Sequence, residues 1–374
     1  MQHTRRQLMA AAATAVGAGT LAGCTDNNAA TASPSGTTAA ASFFVFSDIS
    51  SHVAGDAATA DLLVPVGQHG HGWEPGPRVR ESIRAADLLV HGMTGFQPWV
   101  DDILTDLDAD GADVSSVDAS AAVDLLAVGA ADGDHSAEPD GDHADSHTDH
   151  TDSHDEPGEP THADGHNSTH AETDHADGHD NHSAPDSESR DDHDHGTAMD
   201  PHFWMDPRRV QTATDTIRQA LAAVDPDNAD AYADNAASLQ ADLASLDEQI
   251  ETTIADAATD VLLVAGHNAF RYLGDRYDVT IEALTNVSPD DRPTTRDIER
   301  AQSLIDTHDL RYICADPLES QRAADQLVAD TDAEAVLPLT AIPGRTDEWA
   351  QNDHGYIEIM ETVNLPTLER ALDA

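Results

Sequence analysis

Residues 132–199 hold 13 of the chain's 22 His, with Asp, Ser, Gly and Glu filling nearly all the gaps and Arg190 the only basic residue. A stretch of this kind cannot bury enough apolar surface to offset the entropy of ordering it, so it reads as a disordered, solvated loop. Whatever folds must therefore come from the segments on either side, 42–131 and 200–374. The loop is an insertion late in the first of them.

The rest of the composition narrows the partners. The 374 residues carry 71 Asp and Glu against 18 basic residues, all of them Arg, for a formal net charge of −53. Phosphate contacts need Lys or Arg, which excludes nucleic acid. Acid-rich chains without Lys are what a multimolar-salt medium favours, because screening there shrinks to a few Å; we read the composition as halophilic. Two Cys, Cys24 and Cys314, form no disulfide framework. Cys314 lies in an apolar strand pattern and reads as inert packing.

The first 41 residues read as an address. Thr4-Arg5-Arg6-Gln7-Leu8-Met9 is a twin-arginine pattern, and residues 10–21 are apolar but too short to span a bilayer. Leu21-Ala22-Gly23-Cys24 resembles a lipobox, so residues 1–23 are expected to be a signal peptide and Cys24 a lipidated N-terminus. Residues 24–41, rich in Thr, Ala, Ser and Asn, read as a flexible tether. The mature protein is then expected on the extracellular face of the membrane, held by one lipid anchor.

Globular patterning starts at Ser42. Phe43-Phe44-Val45-Phe46, Leu62-Leu63-Val64-Pro65-Val66 and Asp87-Leu88-Leu89-Val90 read as buried strands, with a short helix at 77–86 between the last two. Residues 42–131 then form an N-terminal α/β lobe that 200–227 completes. Apolar residues spaced by three, four or seven from Tyr232 to Ile254 predict a long linking helix over 228–257. Residues 258–374 form a second lobe, with strands at Val261-Leu262-Leu263-Val264-Ala265, Val279-Thr280-Ile281-Glu282, Arg311-Tyr312-Ile313-Cys314-Ala315 and Val336-Leu337-Pro338-Leu339, and a closing helix over 357–372. Strands alternating with helices imply parallel sheets.

Eight His remain outside the loop and the leader: His52, His69, His71, His91, His202, His267, His308 and His354. His71 follows a predicted strand, His202 follows the loop, and His267 stands at the carboxyl end of a strand, where parallel α/β folds place ligands. Three neutral imidazoles and a carboxylate suit a borderline-soft dication, above all Zn²⁺.

Together these segments resemble the zinc/manganese cluster (cluster A-I) of ABC-transporter substrate-binding proteins. His71-Gly72-Trp73-Glu74-Pro75 is similar to that family's His-x-aromatic-Glu-Pro segment, and Asp200-Pro201-His202-Phe203-Trp204-Met205-Asp206-Pro207 to its Asp-Pro-His-x-Trp-x-Asp-Pro segment. Gly266-His267-Asn268-Ala269-Phe270-Arg271-Tyr272 resembles its His-Asp-Ala-Phe/Tyr-x-Tyr segment, and Tyr356-Ile357-Glu358-Ile359-Met360 with Asn364-Leu365 its closing helix. The resemblance implies two α/β lobes joined by a long rigid helix, with metal held between them. It implies His71, His202 and His267 as ligands, choosing His71 over the neighbouring His69. The family's fourth, acidic ligand has its nearest match in Asp353, next to His354 and a residue or two out of register. Three His favour zinc over manganese.

The expected function is capture of zinc outside the cell by a monomer that delivers it to the membrane permease of an ABC importer. Three His with an open position can also be a hydrolase site. Against that, there is no His-Glu-x-x-His and no evident general base, so no enzymatic activity is expected. A third possibility is an adhesin or metal buffer built around the His-rich loop.

Overall fold

A computed structural model describes residues 36–68, 70, 73–128 and 198–373. The leader, Cys24, His69, His71 and all but the last two residues of the 132–199 loop lie outside the described residues.

Two four-stranded parallel sheets organise the chain. The first uses β1 (Thr37–Ala41), β2 (Ala58–Leu62), β3 (Leu88–His91) and β4 (Ser115–Asp118), in the order β2-β1-β3-β4. The second uses β5 (Val261–His267), β6 (Thr280–Thr285), β7 (Tyr312–Ala315) and β8 (Ala335–Pro338), in the order β6-β5-β7-β8. In each, the first strand of the lobe lies second in the sheet, a doubly wound order whose ligand edge is the carboxyl end of the strands. Helices α1 (Phe44–Ala54), α2 (Pro77–Ala85), α3 (Pro98–Asp110) and α4 (Pro207–Val224) belong to the first lobe, and α5 (Ala229–Ala255) leads out of it. The second lobe adds α6 (Arg271–Tyr277), α7 (Thr295–His308), α8 (Arg322–Asp330), α9 (Asp347–Gln351), α10 (Tyr356–Ile359) and α11 (Leu365–Ala371). A π-turn, Met360–Asn364, joins the last two, just before Pro366, which has no N–H to offer the helical ladder.

Alternation along the strands sorts the cores. On β3, Leu88 and Val90 face the main core while Leu89 faces the outer one under α3. On β5, Leu262 and Val264 face the main core and Val261, Leu263 and Ala265 the outer one under α7 and α8. The main core runs through both lobes and along α5, whose Tyr232, Ala236, Leu239, Leu243, Leu246 and Ile250 are all buried.

Two sequence-based assignments are corrected. The segment Phe43-Phe44-Val45-Phe46 is the start of α1, buried nearly all round, and not a strand. A short apolar run has no periodicity with which to tell a fully buried helix from a fully buried strand. The real strand is Thr37–Ala41, inside the span read as tether, so the globular fold begins at about residue 37 and not at 42. Its Ala39, Ala40 and Ala41 are buried on both faces between β2 and β3, where small side chains let α1 and α3 approach. Likewise β2 is Ala58–Leu62, displaced toward the N-terminus from the predicted 62–66; Val66 is exposed. The linking helix, the Pro77 helix and the four strands of the second lobe match the sequence reading to within a few residues. Cys314 is buried in β7, and burial pushes its thiol up to about 12.

Candidate metal centre

His202 comes from the segment that returns from the long loop. Asp200 N–H donates to Leu126 O and Val128 N–H donates to Ala198 O, so exit and re-entry of the loop are paired side by side, with Ala127 bridged to Met199. Tyr272 of the second lobe ties this clamp down: its hydroxyl donates to Asp200 O and accepts from Leu126 N–H. Burial pushes its phenol above the ordinary range. Asp200 is fully buried, and its Oδ1 accepts from both His202 N–H (3.0 Å) and His202 Nδ1 (2.8 Å). The imidazole proton is thereby assigned to Nδ1, and Nε2 becomes the ring nitrogen available to a metal.

The following residues anchor the segment. Trp204 is fully buried among Phe43, Phe46, Phe96 and Phe203, with its ring 5.4 Å from that of His202. Its Nε1 donates across the lobes to Ala341 O at 2.7 Å, and Tyr356 OH donates to Trp204 O at 2.6 Å. Asp206 caps α4 through Arg208 N–H, with Pro207 at the first helical position.

His267 is the last residue of β5. The register of β5 against β6 shifts between Val264 and His267, a bulge that re-aims the strand's final side chain. The ring is buried, and its centroid lies 5.3 Å from that of His202. Its Nδ1 lies 2.9 Å from Glu319 Oε1, a residue in the turn after β7 that the sequence reading did not single out. Both Nε2 atoms are buried. Two imidazoles from different lobes thus meet, each with a carboxylate on its Nδ1 side.

His71 is not among the described residues; Gly70, the residue before it, is. Gln97 Nε2 donates to Gly70 O (3.2 Å) and Ser42 O (2.9 Å), and Gly70 N–H donates to Pro343 O across the lobes. A Cβ on Gly70 would lie 2.6 Å from the Phe43 ring, which packs on Trp204, so only glycine fits there. Gly70 is therefore seated on the aromatic cluster that also seats His202.

Asp353 does not join the pair. It is exposed, in a left-handed turn after α9 (φ 54°), with its N–H donating to Ala350 O. Among the described residues no group of three or more His, Cys, Asp or Glu is assembled for a metal, His202, His267 and Asp353 included. The register mismatch in the sequence has this physical reason: the turn belongs to the helix end that leads into α10, not to the ligand edge. Of the other histidines, His52 lies near Asp48 at the exposed end of α1, His91 contacts Gly92 O, and His308 is exposed at the end of α7.

Comparison with known proteins decides the lineage. The family described as "ZnuA: Zinc-uptake complex component A periplasmic" matches residues 40–371. The chain belongs to this family. It is 24% identical over 330 residues to the high-affinity zinc uptake system protein ZnuA of Bacillus subtilis (strain 168), covering 88% of this chain and 86% of that one. It is 25% identical over 331 residues to the zinc-binding lipoprotein AdcA of Streptococcus pneumoniae (strain R6), again 88% of this chain but only 55% of that relative, so it spans about half of AdcA's length. Among solved structures, the Zn(II)-bound ZnuA-like domain of S. pneumoniae AdcA superposes with a TM-score of 0.63 at 22% identity, covering 91% of this chain and 100% of that one. YcdH of B. subtilis, described as a metal-dependent lipoprotein, gives 0.63 at 23%, with 90% and 100% covered. These likenesses establish the two-lobed fold.

Proposed function

We propose that this member of the ZnuA family captures zinc between its lobes, with His71, His202 and His267 as ligands, and delivers it to the permease of an ABC importer. The observation that carries the reading is the pair of buried imidazoles, one per lobe, each with its Nδ1 against a carboxylate. Neutral imidazole nitrogens in a three-His set suit Zn²⁺ better than Mn²⁺. The family is one of transport components. With Asp353 exposed, it is not part of the proposed ligand set.

The signal pattern, lipidation at Cys24 and an extracellular membrane-anchored monomer complete the proposal. One support is the lipobox-like sequence; the other is that AdcA is named a lipoprotein. The 132–199 loop would gather metal through several weak sites, since none of its 13 His is preorganised. The acidic surface would need salt, with the thermal midpoint falling as salt drops below about 1 M because the Debye length grows.

Protein purified without a His-affinity step or added metal, then titrated with zinc calorimetrically, should show one tight site and several weak ones. Deleting 132–199 should remove only the weak ones. A tight site that vanishes with the loop, or persists in both His202→Ala and His267→Ala, overturns the assignment.

A further inference from the structure

Resting on the zinc-capture reading, we propose that Glu319 is the positioning residue that holds His267 with its proton on Nδ1 and its Nε2 presented to the metal. Asp200 does this for His202 from two residues away in the same segment. Glu319 does it for His267 from a different loop, fifty-two residues further on, and three observations indicate that the arrangement is built for the purpose.

The turn that carries Glu319 is preformed. Asp316, buried at the end of β7, accepts Leu318 N–H on Oδ1, and Glu319 N–H donates to Asp316 O. Gln321 Nε2 closes the turn by donating to both Asp316 O and Glu319 O. Next, the space for the carboxylate depends on a residue without a side chain. A Cβ on Gly266, immediately before His267, would stand 3.0 Å from Glu319 Oε2. Last, the exposure is graded. The His267 side chain is 5% exposed and that of Glu319 24%, so the carboxylate closes the back of the ring from the solvent side. Among the described residues, Glu319 is the acidic side chain paired with the ring of His267.

Carboxylate partners of ligand histidines fix the tautomer and raise ligand basicity, and losing one typically weakens metal binding 10- to 100-fold. The test compares Glu319→Ala with Glu319→Gln in the full mature chain. Glu319→Ala should weaken zinc about 10- to 100-fold. In metal-free protein at pH 8, nitrogen-15 NMR, with His267 assigned by its absence in His267→Ala, should show the ring shifting away from the Nδ1–H form. Glu319→Gln keeps an oxygen within reach of Nδ1; it should retain the tautomer and lose less affinity. X-ray absorption of the zinc-loaded proteins should show the same number of nitrogen and oxygen neighbours with and without Glu319.

Unchanged affinity and tautomer in Glu319→Ala would overturn the proposal. So would loss of an oxygen neighbour from zinc, which would make Glu319 a direct ligand instead. The underlying reading fails separately: tight zinc binding that survives His267→Ala would remove His267 from the site whatever Glu319 does.

Discussion

The two lobes solve one problem in two ways. Their sheets share a strand order, and each lobe contributes one of the two imidazoles that meet, His202 and His267. In the second lobe the sheet does it directly: His267 ends the first strand, and a bulge turns it inward. In the first lobe His202 is not on a strand. His202 arrives from outside the sheet, after the long insertion, and its aim is set by a dense local web: Asp200 beneath it, Trp204 beside it, Tyr272 and Tyr356 bonded to its backbone neighbours. A strand end is rigid by virtue of its ladder, whereas an incoming segment has to be pinned group by group. The difference predicts that disturbances near His202 act on the fold, while disturbances near His267 act on the metal.

The largest effect should come from the imidazoles themselves. His202→Ala and His267→Ala should each weaken zinc by more than the 100-fold upper end for outer partners, with folding retained in circular dichroism. A large asymmetry between them would break the equivalence of the two lobes.

Next is the helix that joins them. Asp247 on α5 is fully buried and accepts from Arg208 at the start of α4 and from Arg276 and Tyr277 in α6. Burial alone would raise its pKa, but these donors outweigh it and leave the carboxyl below the ordinary range. Asp247→Ala should cost roughly 3 kcal/mol in urea unfolding, at the low end for broken buried pairs because the arginines can partly rehydrate. A lowered folded pKa means this stabilisation is present above the unfolded carboxylate pKa of about 3.9 and is lost as pH falls through the lower folded value. Acid titration of stability should therefore be shallower in Asp247→Ala below about pH 4.

The comparison sharpens at the two carboxylates. Asp200→Ala removes the acceptor for a backbone N–H as well as for the ring, both buried, and should cost about 2 kcal/mol of stability. Glu319→Ala should change stability by only about 0.5 kcal/mol, as partly exposed sites do. Equal stability losses would contradict the division between a pinned segment and a strand end. Between these two, Trp204→Phe strands the carbonyl of Ala341 and should cost about 1–2 kcal/mol, read by thermal melting.

What was legible in the sequence follows from how local each signal is. His267 at a strand end, the repeat from Tyr232 to Ile250, and the Pro-led helix at 77 are written in neighbouring residues and were readable. β1 was not: Thr37-Thr38-Ala39-Ala40-Ala41 has the composition of a linker, and only its place between β2 and β3 makes it a strand. Glu319 was invisible for a different reason. One acidic residue among 71 carries no mark until folding sets it against His267. Asp353 was chosen for its place before Tyr356 in sequence, and in the fold it is exposed in a left-handed turn.

Tyr356 also bears on how the two lobes are held together. The chain passes between lobes through α5, yet after finishing the second lobe it returns: Tyr356 N–H donates to Asp48 on α1, and its hydroxyl to Trp204 O. Burial pushes that phenol well above its ordinary range, so the hydroxyl stays a donor at any physiological pH. Together with Trp204 Nε1 donating to Ala341 O and Tyr272 OH donating to Asp200 O, it adds a hydrogen-bonded brace to the covalent link through α5. Two backbone hydrogen bonds, Gly67 N–H to Arg345 O and Gly70 N–H to Pro343 O, tie the lobes at a further point. Swinging one lobe on the other must therefore break several contacts at once.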